Sequence, residues 1–535
     1  MKKCVLIIVW ILLVLTLIGL CVFMETRVDG LLDADMSSEL VLARLLSQEK
    51  RMISPNWYYS TELRVLNTQL VFAPLFWITE DWHTVRVAGS VILYLIFLAS
   101  AYYCCRQLKI RRMFPVVGIL LLTPLSVPYF NNILRGVYYI PHASISFVMM
   151  GMLAQSMRAE RHGSRLALCC GIAALSFVAG LGGVRQLAVF YVPAALMALF
   201  LFQRDPQRLT HGDRPAIPSF RLLQGAILAA SLAVLGFLVN KLIFTRFYSF
   251  SDYTRFSFTP LEPERVVAVL RDFLAFFGYQ PGAFASAALL QNLLALILLA
   301  VVAAAARRFA LRTRPGDVLE HSMLAVYTVA ASLVFILLYA FTDSPYHNTY
   351  QVPFMVFTYL LIGAWLERAD WKKWSVRCCA ALSAAVLLIC GAIGYWDFAH
   401  TEEGESRLSL RGDAVEFAEI AREMVDSGYP SGYSTFWFGG NTLTELSNGA
   451  IDMYIWPNQG ASGLDELYPW LQAKAHDATQ PDGPFFLMFR TADLGVLPVT
   501  KRLDDRFLIY LSDQYVAYGY ESREEYEAGL LPSPA

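Results

Sequence analysis

Charge is what this chain has least of. Only 16% of its 535 residues are Asp, Glu, Lys or Arg, against 56% hydrophobic, and its mean hydropathy is +0.46. Soluble domains carry about a quarter of their residues as charges, so this composition excludes an ordinary soluble fold and points to a polytopic membrane protein. Carboxylates are nearly missing from the centres of the apolar runs, where an ion-coupled transporter would hold them. Cysteine is missing from the polar C-terminal part. All nine (Cys4, Cys21, Cys104, Cys105, Cys169, Cys170, Cys378, Cys379, Cys390) fall in or beside apolar segments, which argues against a disulfide framework. No His/Cys spacing suits zinc, and there is no Walker motif, dinucleotide fingerprint, nucleophile elbow or HExxH. There is also no internal repeat, low-complexity tract or polybasic tail, and so no case for a nucleic-acid partner. Nothing in the sequence argues for a particular oligomeric state.

What the chain does have is a series of apolar segments long enough to span a bilayer at roughly 17 to 25 residues each. The first, residues 4–24, follows Lys2 and Lys3 and ends on bulky Val22, Phe23 and Met24, so we read it as an uncleaved helix with its lysines inside. Others lie near 84–105, 114–130, 142–157, 166–183, 187–203, 222–244, 284–305, 321–341, 350–367 and 378–396, about eleven in all. Every second connecting loop is basic, as with Arg106, Lys109, Arg111 and Arg112, then Arg158, Arg161 and Arg165, and last Arg368, Lys372, Lys373 and Arg377. Basic residues in short loops stay cytoplasmic. The alternation holds if the amphipathic segment 66–78 does not cross, which places the N-terminus inside and the tail outside.

Residues 1–396 are thus expected to form a helical membrane bundle and residues 397–535 a small extracytoplasmic α/β domain. In that tail acidic residues outnumber basic ones by more than two to one. Residues 413–427 have helical periodicity. Residues 433–438, 451–456, 485–490, 507–511 and 515–520 read as short strands between Gly, Pro and Asp turns.

Two outer loops are long, residues 25–83 and 245–282, and loops presented by fixed helices are where chemistry is expected. The first carries Asp33, Asp35 and Glu39 at an expected helix start, with Ser37 or Ser38 as cap. Asp35 and Glu39 are an i, i+4 pair that shares one face. Such a pair suits activation of an acceptor hydroxyl or binding of a divalent cation; it equally suits a solvated helix start. Trp57, Tyr58 and Tyr59, with Glu62 and Arg64 beyond, read as an interfacial aromatic belt or as a wall for a lipid-linked substrate. Arg185 lies in a Gly-Gly-Val-Arg turn suited to bidentate contact with a phosphate, although snorkelling would also place an arginine there. Arg135 with Tyr138, Tyr139 and His142, and Lys241 with Arg246, are weaker cases of the same kind. His347, in PYHNTY, is a further outer-loop candidate.

A first span followed at once by a large acidic outer loop, about eleven spans and a C-terminal outer domain together resemble the GT-C class of integral membrane glycosyltransferases. The residues carrying the resemblance are Asp35 in DADMSSE, the WYYSTELRVLN segment, Arg185, and GYSTFWFGGNTLTELSNGAIDMYIWP in the tail. The resemblance implies a sugar donor linked to polyprenyl phosphate and a glycan or other cell-envelope acceptor, reacting at the outer face of the plasma membrane, by inversion. It implies Asp35 as base, Asp33 as the next choice, Glu39 assisting and Arg185 holding phosphate. A divalent ion, Mg or Mn, is used by some members of the class and not others. Alternatives are a lipid-linked-glycan flippase or exporter, and a non-catalytic envelope-assembly protein.

Overall fold

The computed structural model describes residues 3–61, 63, 65–205, 217–250, 257–279, 287–311, 318–344, 348–374, 413–458, 460–481 and 483–532, with scattered positions between 377 and 392. Within a bilayer every backbone N–H and C=O must be met inside its own segment, so the apolar runs become helices. Among the described residues eight helices are long and apolar enough to cross, nine if one bent pair counts as a span. The protein is therefore a mainly helical membrane protein. Ile140–Ser156 is a further apolar helix of 17 residues, and the expected last span at 378–396 lies largely outside the described residues.

The bent pair corrects one expectation. Residues 114–130 read as a single span, but the chain forms Phe114–Leu122 and then Val127–Arg135, bent by 92°. Apolarity runs straight through this stretch; the break falls at Thr123–Ser126, where Pro124 cannot donate to the helix ladder. Segment 66–78 holds only a seven-residue helix, Gln69–Leu75, too short to cross.

Packing between the spans relies on small residues, since lipid competes equally for apolar side chains. His162–Leu181 and Pro218–Leu242 meet at Gly180 and Gly236, where any Cβ would strike the backbone of Ala233 or Phe177. Asn240 closes the contact by donating to the Leu181 carbonyl at 2.6 Å. Val352–Glu367 is buried along its first thirteen residues and lies among the other spans, whereas Lys3–Arg27 turns most of its large apolar side chains outward.

The tail folds around a five-stranded sheet of β3 (Ser431–Thr435), β4 (Asp452–Trp456), β5 (Phe485–Arg490), β6 (Leu508–Leu511) and β7 (Tyr515–Tyr520), in the order β4-β3-β5-β7-β6. The first three strands are parallel and the last two pair antiparallel. The hydrophobic runs that read as strands alternate between two cores. Ile455, Phe486 and Met488 face the helix Asp413–Asp426, while Tyr433, Trp456 and Leu487 fill the other side. The expected tail helix and strands are all present with shifts of a few residues; the boundary proposed at 396 lies outside the described residues.

Three of the ties between tail and bundle come from one stretch of the tail, residues 441–448. Arg86, fully buried near the start of the span Trp82–Gln107, is bidentate to Glu445 of the tail helix Gly440–Leu446. Asn441 donates to Ser38 Oγ at 2.7 Å. Asn448 accepts from the Trp82 amide at 2.8 Å.

Candidate active site

The first loop enters a helix at Ala34–Glu49, and the cap is Asp33 rather than Ser37 or Ser38. Its carboxylate accepts from the Met36 amide at 2.9 Å and also pairs with Arg135. Ser37 and Ser38 are buried inside the helix, Ser38 Oγ bonding back to the Ala34 carbonyl at 2.5 Å. Asp35 sits in the first turn, where the aligned peptide dipoles favour a carboxylate.

From this helix Asp35 and Glu39 both face a cleft of about 270 Å³, and Arg185 lines the same cleft. Glu39 is held by donors on the loop that follows: Asn67 Nδ2 at 3.2 Å and the Thr68 hydroxyl. Arg185 is 9% exposed. Its guanidinium donates to the Tyr139 hydroxyl at 2.7 Å and stacks over Tyr350, 4.3 Å from the ring centroid. Such stacking keeps the charge oriented while only weakly competing for its donors. Gly183, at φ +101°, permits the turn that begins this segment.

Backbone irregularity concentrates around these groups. Arg185 precedes a π-helical turn at Leu187–Tyr191, and a second at Phe130–Arg135 precedes Tyr138 and Tyr139. In each turn a side-chain hydroxyl from another span meets a backbone carbonyl, Tyr327 on Val189 at 3.2 Å and Tyr94 on Leu134. Val137, buried, is at φ +50°, and Leu471, on the cleft wall, is also at φ +50°. A left-handed conformation is costly for branched side chains and persists only where neighbours over-determine it. Leu471 is fixed from both sides, its amide donating to the Tyr58 carbonyl and its carbonyl accepting from Asn441, each at 2.7 Å.

Tyr138, Tyr139 and Tyr59 also line the cleft. Burial pushes the Tyr138 hydroxyl up, with Asp33 adding to the effect, and burial does the same at Tyr59. Both hydroxyls stay protonated at neutral pH. Tyr59 exchanges hydrogen bonds with Ser54 at 2.9 and 3.1 Å. Its neighbour Tyr58 projects to the opposite side of β1 (Tyr58–Tyr59), which pairs in parallel with β2 (Ser249–Phe250) of the second long loop. The Tyr58 hydroxyl donates to Asp477 in the tail.

The remaining candidates fall elsewhere. Asp33 and Arg135 pair with each other and are not among the residues lining the cleft. Trp57 is fully buried against the backbone of Ala473. His142 lies behind Tyr139, ring centroids 5.6 Å apart, with its backbone carbonyl accepting from Gln186 at 3.0 Å. Lys241 and Arg246 sit at and just beyond the end of Pro218–Leu242, away from the cleft. Glu62, Arg64 and His347 lie outside the described residues, although Thr61, Thr349 and Tyr350 beside them are on the wall. Reading the sequence did not single out three wall residues from the tail, Trp437, Trp470 and Leu471.

A resident divalent ion finds little to hold it. Among the described residues no three His, Cys, Asp or Glu side chains converge. Glu39 and Asp33 already take hydrogen bonds from protein donors. Among the described residues this donor set does not fit a metal site.

Across 97% of its length the chain superimposes on ArnT from Cupriavidus metallidurans bound to undecaprenyl phosphate, covering 98% of that protein at a TM-score of 0.58 and 12% identity. The chain shares its fold with ArnT. Apo ArnT gives a TM-score of 0.56 at 12% identity, over 95% of this chain and 97% of the other. The oligosaccharyltransferase of Archaeoglobus fulgidus, tethered with an acceptor peptide, matches at 0.47 and 11% identity, over 99% of this chain and 75% of that one. No protein-family model matches the sequence, and none of the curated proteins does. The likeness shows an ArnT-like fold over nearly the whole chain.

Proposed function

We propose that this chain is a GT-C-type glycosyltransferase that moves a sugar from a polyprenyl-phosphate-linked donor to a cell-envelope glycan or related acceptor. The reaction takes place at the outer face of the plasma membrane, with the C-terminal domain extracytoplasmic. One observation carries the reading: Asp35 and Arg185, 150 positions apart in sequence, line one cleft in a chain with an ArnT-like fold.

In this reading Asp35 takes the proton from the acceptor hydroxyl as its oxygen attacks the anomeric carbon from the face opposite the phosphate. The carbon–oxygen bond to phosphate breaks and the configuration inverts. Charge develops on the departing phosphate, and Arg185 stabilises it there more than in the ground state, which is what lowers the barrier. The Tyr139 hydroxyl, accepting from Arg185 at 2.7 Å, helps to hold the guanidinium toward the same anion. Glu39, fixed by Asn67 and Thr68, orients the acceptor.

The test is reconstitution of the purified protein with polyprenyl-phosphate sugars. Wild type should consume donor, Asp35→Asn should lose about 10² to 10⁴-fold in turnover, and Arg185→Ala about 10² to 10³-fold. Full activity in both variants would overturn the assignment. Transbilayer movement of lipid-linked glycan with no donor consumed would make the protein a flippase.

A further inference from the structure

The wall contributed by the tail is chemically unlike the rest of the cleft. Trp437 stands on the turn after β3 and is 48% exposed. Its ring is set edge-on to buried Phe436 at 4.8 Å and 79°. The turn is rigid: the Ser434 hydroxyl donates to the Phe438 carbonyl, and Arg490, bidentate to Asp493, stacks 4.2 Å from the Phe438 ring centroid. Gly439 at φ +109° closes it, a backbone conformation in which any other side chain would be strained, with the Met488 side chain close by. Trp470 lies nearly parallel to Tyr468, at 17° with centroids 5.9 Å apart, beside the pinned Leu471. Two indoles held in place at a cleft are ready-made flat apolar surfaces, with little side-chain entropy left to lose on binding.

Charge narrows what can lie on them. Among the described residues lining the cleft, Arg185 is the single Lys or Arg, against Asp35 and Glu39. With Arg185 committed to the donor phosphate, an anionic acceptor would meet two carboxylates and, among the described residues, no cation of its own. The remaining polar side chains, such as Asn67, Gln69 and Thr349, are neutral donors and acceptors suited to hydroxyls.

We propose that Trp437 and Trp470 form a stacking platform for an uncharged sugar ring, so that the acceptor is a neutral glycan rather than a phosphorylated one. This rests on the glycosyl-transfer reading above. The carbon–hydrogen face of a pyranose covers the indoles while its hydroxyls reach the polar rim, presenting one of them to Asp35.

The experiment uses the full chain in nanodiscs. Neutral and phosphorylated oligosaccharides are titrated while tryptophan emission is followed, and binding of a fluorescent polyprenyl phosphate is measured in parallel. Neutral oligosaccharide should shift the emission, and Trp437→Ala and Trp470→Ala should each weaken its binding about tenfold or more, with Trp437→Phe close to wild type. Polyprenyl phosphate binding should be unchanged in these variants and lost in Arg185→Ala. Tighter binding of the phosphorylated sugars, or equal binding by wild type and both alanine variants, would overturn the platform while leaving the donor site standing. Polyprenyl phosphate binding indifferent to Arg185 would instead sink the reading on which the platform rests.

Discussion

Arg86 and Glu445, 359 positions apart, form a fully desolvated ion pair between the first span after the acidic loop and the C-terminal domain, with hydrogen bonds of 2.8 and 2.7 Å. A third bond, from Arg86 to the Met36 carbonyl at 2.8 Å, ties the pair to the helix that carries Asp35 and Glu39. The tail is thereby registered against the helix that carries the candidate carboxylates.

Removing one partner strands the other without water. Glu445→Ala should cost about 3 to 5 kcal/mol, read as a lowered melting temperature of the full chain in detergent. The apolar double substitution Arg86→Met with Glu445→Leu should recover most of it, because it removes both buried charges. If Glu445→Ala melted with wild type, the pair would not be holding the domains together.

This tie also marks how far the sequence could be read. Asp35, Glu39, Arg185, Tyr138 and Tyr139 were legible because each stands out locally: carboxylates at a helix start, a basic turn between apolar runs, paired aromatics before a span. The tail strands were legible from alternation of apolar residues between turns. By sequence alone Arg86 is one more basic residue at a span end, and Glu445 one more acid in an acidic tail. Their pairing depends on a fold-back that no local pattern encodes. The same holds for Trp437 and Trp470, which become cleft walls only once the tail docks. Pro124 carried a break signal, yet the unbroken apolarity around it masked the 92° bend.

Asp33 and Asp35, two residues apart, should separate cleanly in function. Asp33 caps the helix and neutralises Arg135, so Asp33→Ala should destabilise by about 1 kcal/mol or more through the lost cap, and Asp33→Ser should restore part of that. Residual turnover per folded molecule should remain measurable in both. Asp35→Asn should melt like wild type and yet lose turnover. Equal loss of turnover per folded molecule in Asp33→Ser and Asp35→Asn would make Asp33 a direct participant.

Arg185→Lys keeps the charge but not the stacked, forked donor set shared between Tyr139 and Tyr350. Donor KM should rise by about tenfold or more, since lysine is not a conservative replacement at such a site. Steady-state kinetics with a polyprenyl-phosphate sugar checks this, and an unchanged KM would show that only net charge matters there.

The Tyr58–Asp477 contact gives docking of the first loop on the tail a pH limit. The hydrogen bond to Asp477, then burial, hold the Tyr58 hydroxyl up at about 12 against an ordinary 10.0. Because the folded value is the higher one, the stabilisation is complete below pH 10 and is lost as pH rises through about 12. Limited proteolysis of the first loop should accelerate over that window in wild type. Tyr58→Phe, lacking the contact, should be cleaved faster already at neutral pH, with a smaller rise on going alkaline. Identical profiles for the two proteins would remove Tyr58 from the docking interface.

Leu471 tests whether strain at the cleft serves activity. At φ +50° a leucine sits in a conformation that asparagine tolerates far better, a difference of about 1 kcal/mol. Leu471→Asn should therefore unfold within about 1 kcal/mol of wild type, because relief of the backbone offsets the lost apolar contact. Leu471 is only half-buried, so its lost contact is smaller than the roughly 2 to 5 kcal/mol that truncation of a fully buried leucine costs. Turnover should nonetheless fall, since Leu471 lines the cleft next to Trp470 and its backbone bonds to Tyr58 and Asn441 hold that wall in place. Thermal unfolding and acceptor-dependent kinetics on the same preparation give both readouts. A large loss of stability, or stability and turnover both untouched, would mean that the left-handed leucine is a packing accident with no part in shaping the cleft.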